Sequence, residues 1–251
     1  MKKTSWQEVA DWYTNYSNDP TSYHHTVIIP NLLRVLGPVH DLSVLDLACG
    51  AGVVSKALAE AGARITGVDA SSTLIARAQK SVATIQPQAK FHIASAEKLP
   101  LTTHSVDNAV CVLALQNIRK VKETFAECAR VMRSQGRLEL VLNHPAFRIP
   151  QGSSWGWDET AKQQYRRVDY YLSEKSVQIV AHPGQVKSES TTSFHRPLQY
   201  YVKLLTAAGF AVTRIEEWIS PKKSQTGPRQ KEEDRLRKEI PLFMLIEARL
   251  V

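Results

Sequence analysis

The residues with the most chemical potential lie in "VLDLACGAGVVSKAL", residues 44–58, where Gly50 and Gly52 bracket one alanine. They separate an apolar run carrying Asp46 and Ala48 from an apolar-periodic segment. A glycine turn between a strand and a helix lets the backbone approach a ligand closely. A phosphate cradle of the G-x-x-x-x-G-K-[ST] type is excluded, because no Lys-Ser or Lys-Thr follows at that spacing. A dinucleotide fingerprint needs a third glycine where Ser55 stands. Asp69 ends the next apolar run, 19 positions after Gly50, and a carboxylate there can accept both hydroxyl hydrogens of a ribose. In "ASAEKLP" (94–100) a side-chain acceptor and a backbone N–H can bracket an adenine edge. The spacing predicts adenosine binding without a pyrophosphate cradle.

Alternating apolar and helix-periodic segments must position these residues. Strands are expected at 43–48, 64–69, 90–95, 107–114 and 137–143, with helices near 53–62, 72–84 and 120–133. Gly136 reads as the stop of the last helix. Such alternation predicts an α/β fold: a doubly wound, seven-stranded, mostly parallel, Rossmann-like sheet, completed by a helix at 196–210 and strands at 211–219 and 241–250. Two aromatic-rich helices, 5–16 and 24–36, precede it, with Trp6, Trp12, Tyr13, Tyr16 and Tyr23. Residues 145–195 lose periodicity and collect Pro, Gly, Ser and Trp, which predicts a structureless lid or substrate insertion. The chain reads as a single domain: a cap (1–40), a core (41–144), the lid (145–195) and a C-terminal helix with strands (196–251).

Composition narrows the function classes. With 251 residues, 43% hydrophobic and 22% charged, the chain fits one soluble globular domain. It holds no apolar run of membrane-spanning length, and its start has two lysines but no apolar h-region of a secretory signal. Cys49, Cys111 and Cys128 lack C-x-x-C spacing and sit in apolar patterns, so a reduced, cytoplasmic protein without structural zinc is expected. The eight histidines show no H-E-x-x-H spacing, and no metal is expected. A net charge of +8 raises nucleic acid as a partner. Residues 222–239 oppose it: seven Lys/Arg mix with four Asp/Glu, which reads as a solvated connection.

With these motifs in order, the sequence resembles the class I S-adenosylmethionine-dependent methyltransferases, and within them the small-molecule branch that includes quinone-biosynthesis enzymes. The resemblance covers 43–143 and continues through "NHP" (143–145), "SFHRPLQYYVKLLTAAGF" (193–210) and the final strands. It implies S-adenosylmethionine as cofactor, S-adenosylhomocysteine as product and a small-molecule acceptor. Asp46, Ala48, Gly50 and Gly52 would line the methionine part. Asp69 would hold the ribose beside Ala70 and Ser71. Ala96 and Glu97 would flank the adenine, with Leu113 and Leu115 closing below. Ser95 departs from the Asp of many relatives; its hydroxyl can still accept from the adenine amino group but lacks the charge.

Methyl transfer needs alignment, exclusion of water and, for some acceptors, a base. Gln116, His144 and His195 are the catalytic candidates, and Tyr16, Tyr23, His24, Asn117 and Trp155 the acceptor-binding ones. Each has a plainer reading: His144 before Pro145 can end a strand, His195 can contact the helix beginning at Pro197, and "SSWGWD" (153–158) can fold the lid on itself. An RNA methyltransferase and a non-catalytic cofactor-binding regulator are the alternatives. The first lacks an Asn/Asp-Pro-Pro-Tyr motif after the fourth strand, where "LALQNI" stands.

Overall fold

A computed structural model describes residues 10–180 and 190–251. Helix α1 (Ala10–Asn18), a π-helical turn (His24–Ile28) and α2 (Ile29–Leu36) lead into an alternating core. That core runs β1 (Ser43–Leu47), α3 (Val53–Glu60), β2 (Arg64–Asp69), α4 (Ser72–Val82), β3 (Lys90–Ile93), β4 (Val106–Val112), α5 (Val121–Val131) and β5 (Met132–Asn143). It is followed by β6 (Ser153–Asp158), β7 (Gln163–Val168), β8 (Lys175–Val180), β9 (Ser190–His195), α6 (Leu198–Ala207), β10 (Phe210–Trp218), α7 (Gln230–Glu239) and β11 (Phe243–Leu250). The seven-stranded sheet has the order β10-β11-β5-β4-β1-β2-β3, and β11 alone pairs antiparallel with both neighbours.

Strands β1 and β4 and the second half of β5 form because nearly every residue is buried on one face or the other. Leu138, Leu140 and Leu142 of β5 pack with Phe125 and Leu205 from α5 and α6. Val141 points to the opposite cluster, with Leu32 and Leu58 from α2 and α3. This two-residue alternation inside a continuous apolar run is what helices on both faces require. Neighbours β1 and β2, and β1 and β4, lie parallel on either side of β1. Their loops diverge, and the cleft at that switch point positions the site.

Three expectations are corrected. First, α5 ends at Val131 and the chain enters β5 directly, so Gly136 lies inside a strand. The β4–β5 register jumps from Val106↔Met132 to Asn108↔Arg137. Gly136 is needed there because a Cβ would stand 2.5 Å from the Asp107 carbonyl oxygen. Second, the region after β5 is not structureless: β6 pairs with β7 and β8 with β9 as antiparallel hairpins. Their solvent-facing polar residues, such as Gln163, Arg167 and Lys175, hide the pattern. Third, the charged run contains α7, anchored by buried Leu236. Its charges are locally committed: Arg235 pairs with Glu232 at 2.7 Å, and Asp234 accepts from the Ser224 N–H at 2.7 Å. Of the expected helix over 5–16, residues 10–16 lie in α1, and residues 5–9, Trp6 among them, lie outside the described residues. No helix among the described residues is long and apolar enough to cross a membrane.

The sheet also buries two carboxylates face to face, Glu139 of β5 opposite Glu247 of β11. Burial, then the Glu247 charge, raises the Glu139 pKa from 4.5 to about 8, against the pull of Arg137 and Arg214. Between these values the folded chain holds a proton that the unfolded chain has released. Stability therefore falls as pH rises through that window. Glu139→Gln keeps the shape and removes the titration. Urea melts should show the variant gaining on the order of 3 kcal/mol relative to wild type between pH 5 and pH 8; parallel pH profiles would refute the assignment.

Candidate active site

At the carboxyl ends of β1, β2, β3 and β4 the described residues enclose a cavity of about 470 Å³. The turn after β1 builds one wall. Ala48 and Gly50 adopt left-handed backbone conformations, with φ of 56° and 54°, and both line the cavity. A side chain at Gly50 has no room: its Cβ would stand 2.9 Å from the Tyr13 ring. Tyr13 itself lines the cavity, and burial raises its phenol pKa well above the usual value. The phenol is therefore neutral at physiological pH. Helix α1 is docked by Arg77 of α4, which donates to the Ala10 carbonyl at 2.8 Å and to Thr14 Oγ1 at 2.7 Å, and pairs with Asp11.

Asp69, at the end of β2, faces the same cavity. The Gly50 N–H donates to its Oδ2 at 3.0 Å and the Ser71 N–H to its Oδ1 at 2.8 Å. Those bonds, with a further one from the Ala70 N–H, fix the carboxylate at the turn between the two loops. Burial raises its pKa, opposed by these backbone donors. Ala70 lies beside it; Ser95, Ala96 and Glu97 line the wall beyond β3, where the Ser95 hydroxyl donates to Glu97. Leu113, left-handed at φ 51° with its N–H donating to the Val141 carbonyl at 2.7 Å, turns the chain out of β4 and lines the cavity from below.

Four expected cofactor residues, Asp46, Gly52, Ser71 and Leu115, stand behind this wall instead of on it. Asp46 is buried under the turn, accepting from Ser55 Oγ at 2.6 Å, and burial raises its pKa to about 7. Ser55, at the third-glycine position, thus braces the strand carboxyl. Gly52 packs α3 onto α4, where a Cβ would meet the Ala78 Cα and Cβ at 2.9 Å. Ser71 caps α4, its hydroxyl accepting from the Leu74 N–H at 3.4 Å. Leu115 is fully buried in the core.

The acceptor-side candidates are scattered. Asn117 lines the large cavity, carried there by a 3₁₀ turn, Leu115–Asn117. His144 does not line it. Its Nδ1 accepts from the Ala146 N–H at 3.2 Å and its Nε2 lies 2.6 Å from Glu217 Oε1, which fixes the proton on Nε2 and ties β5 to β10. Burial lowers its pKa against the pull of Glu217. His195 and Gln116 line a separate small pocket, with His195 Nε2 at 2.8 Å from the Tyr171 carbonyl. Tyr16 and Tyr13 stand edge-on to His24, at 6.0 and 6.2 Å between centroids, and burial lowers the His24 pKa to about 4. Tyr23 bonds Ser220 at 3.1 Å, and Trp155 is exposed with Arg166 over its ring. Tyr16, Tyr23, His24 and Trp155 do not line the large cavity.

Sequence reasoning missed Tyr13, Thr192 and Phe194, all of which line it. Strand alternation was the available signal for the last two: Thr192 and Phe194 share a face of β9 that His195 does not.

This sheet order, with a cavity at the switch point and a carboxylate at the end of β2, is the architecture against which known proteins are compared. Residues 45–140 match the family described as methyltransferase domain. Over 96 residues the chain is 31% identical to ubiquinone biosynthesis O-methyltransferase of Aromatoleum aromaticum, covering 38% of this chain and 41% of that one. It is 31% identical over 132 residues to ubiquinone/menaquinone biosynthesis C-methyltransferase of Rubrivivax gelatinosus, covering 52% and 51%. Among solved structures, an S-adenosylmethionine-dependent methyltransferase from Mesorhizobium loti superposes with a TM-score of 0.69 at 26% identity, covering 88% and 96%. The core of the chain is similar to those quinone-biosynthesis methyltransferases, and the chain shares the fold of the Mesorhizobium loti S-adenosylmethionine-dependent methyltransferase. Its matches span about two-fifths to one-half of the length of these curated relatives.

Proposed function

We propose that the protein transfers a methyl group from S-adenosylmethionine to a small-molecule acceptor. The observation that carries this reading is Asp69, a half-buried carboxylate held by the Gly50 and Ser71 N–H groups and open to the cavity. Asp69 holds the ribose hydroxyls, Ser95, Ala96 and Glu97 bracket the adenine edge, and Ala48 and Gly50 admit the amino-acid tail. The chemistry supplied there is displacement at a sulfonium methyl: the acceptor's nucleophilic atom bonds the carbon as the carbon–sulfur pair returns to sulfur.

The chain's own part is alignment and exclusion of water. Tyr13 presents a neutral aromatic face of the kind that attracts a sulfonium cation, and Phe194 covers the cavity from the lid. Asn117 offers an amide to orient the acceptor. His144 is committed to Glu217 and Ala146, so removal of a proton falls to the acceptor's own acidity or to a group outside this pair. The quinone-related products named for the relatives place aromatic small molecules first among acceptors to try.

Two measurements test the reading. Isothermal titration with S-adenosylhomocysteine should show one saturable site. Methyl-labelled S-adenosylmethionine incubated with a cell extract should leave label in the low-molecular-mass fraction. Label recovered only in RNA or protein, or no saturable binding at millimolar S-adenosylhomocysteine, would refute it.

A further inference from the structure

The large cavity shares Phe194 with a second pocket of about 30 Å³, between the end of β5, the lid strand β9 and the 3₁₀ turn. That volume suits one small polar group, not a whole acceptor. Its apolar lining comes from Leu142, Phe194 and Tyr201.

Two of the pocket's polar side chains, Arg196 and His195, are already committed. Arg196, 4% exposed, donates to the Leu115 carbonyl at 3.2 Å and the Arg119 carbonyl at 3.1 Å, and stands 4.0 Å from Glu174. His195 is engaged by the Tyr171 carbonyl at 2.8 Å. Two groups differ. Gln116 Nε2 donates to the Leu113 carbonyl at 2.5 Å, which fixes the amide and leaves Oε1 buried without a donor. Arg148 has no carboxylate partner among the described residues; its guanidinium lies 5.7 Å from the Phe243 ring centroid. One pocket therefore offers an acceptor oxygen that needs an O–H or N–H and a cation that needs an anion. Leaving such groups unmatched is costly, and a ligand that matches both gains twice.

We infer that this pocket receives the polar head of the methyl acceptor, an apolar or aromatic molecule whose hydroxyl sits next to an anionic oxygen. The hydroxyl donates to Gln116 Oε1, the anionic oxygen accepts from Arg148, and the apolar body passes Phe194 into the large cavity. This rests on the methyl-transfer reading of that cavity and adds the acceptor's chemical class.

Salicylate, benzoate and phenol serve as probes, each titrated with and without saturating S-adenosylhomocysteine. Wild-type protein should bind salicylate at least about tenfold more tightly than either of the others, the scale of one charge-assisted hydrogen bond. Arg148→Met should erase the advantage over phenol, and Gln116→Met the advantage over benzoate. Both variants should keep the wild-type affinity for S-adenosylhomocysteine. Equal binding of the three probes by wild type, or full discrimination retained in both variants, overturns the inference. Absence of S-adenosylhomocysteine binding in wild type would count against the cofactor reading instead, and the probe series without it still decides this one.

Discussion

Asp69→Ala is expected to weaken S-adenosylhomocysteine binding by roughly 30- to 150-fold, or about 2–3 kcal/mol. The carboxylate is the one acidic group that both lines the cavity and is held by the Gly50 and Ser71 N–H groups of the two neighbouring loops. Alanine removes the ribose partner and also leaves those two donors unsatisfied. Asp69→Asn separates the effects, because an amide oxygen still accepts from one of the donors while the charge is gone. Calorimetry on both variants, with circular dichroism to establish that each is folded, makes the comparison. An affinity within threefold of wild type for folded Asp69→Ala would remove Asp69 from the ribose contact.

Gly52→Ala should have the opposite signature, a large loss of stability with little change in ligand affinity. At φ 83° the residue is left-handed, and its Cβ would stand 2.9 Å from both the Cα and the Cβ of Ala78. The backbone penalty of about 1–2 kcal/mol adds to overpacking of about 1–3 kcal/mol, so urea melts should show a total of about 2–5 kcal/mol. Because Gly52 lies behind the cavity wall, the folded fraction should bind S-adenosylhomocysteine within about twofold of wild type. A stable variant that has lost binding would return Gly52 to the ligand surface.

The two glycines of the turn show how far a motif carries. Gly50, Asp69 and the 95–97 segment were legible because a strand followed by a glycine turn has few geometries, and the turn must lie at the carboxyl end of a parallel strand. Strand β2 was expected at 64–69 and spans Arg64–Asp69. The lid hairpins were not legible: β7, with the sequence QQYRRV, buries none of its residues fully and so carries no inside-outside pattern. The charged helix α7 was missed for the same reason, with Leu236 its single buried residue.

By itself the sequence determined the alternating α/β core, the order of its motifs and the strand ends at which the cavity opens. Those follow from local periodicity and turn chemistry, which act over a few residues. Only the tertiary structure decided which candidates meet. His144 finds Glu217 from 73 positions away, and Tyr13 reaches Gly50 because Arg77 clamps α1 onto α4. The lid puts Phe194 rather than His195 against the large cavity. Such pairings depend on how the closed chain packs, and a one-residue change of strand face exchanges one partner for another.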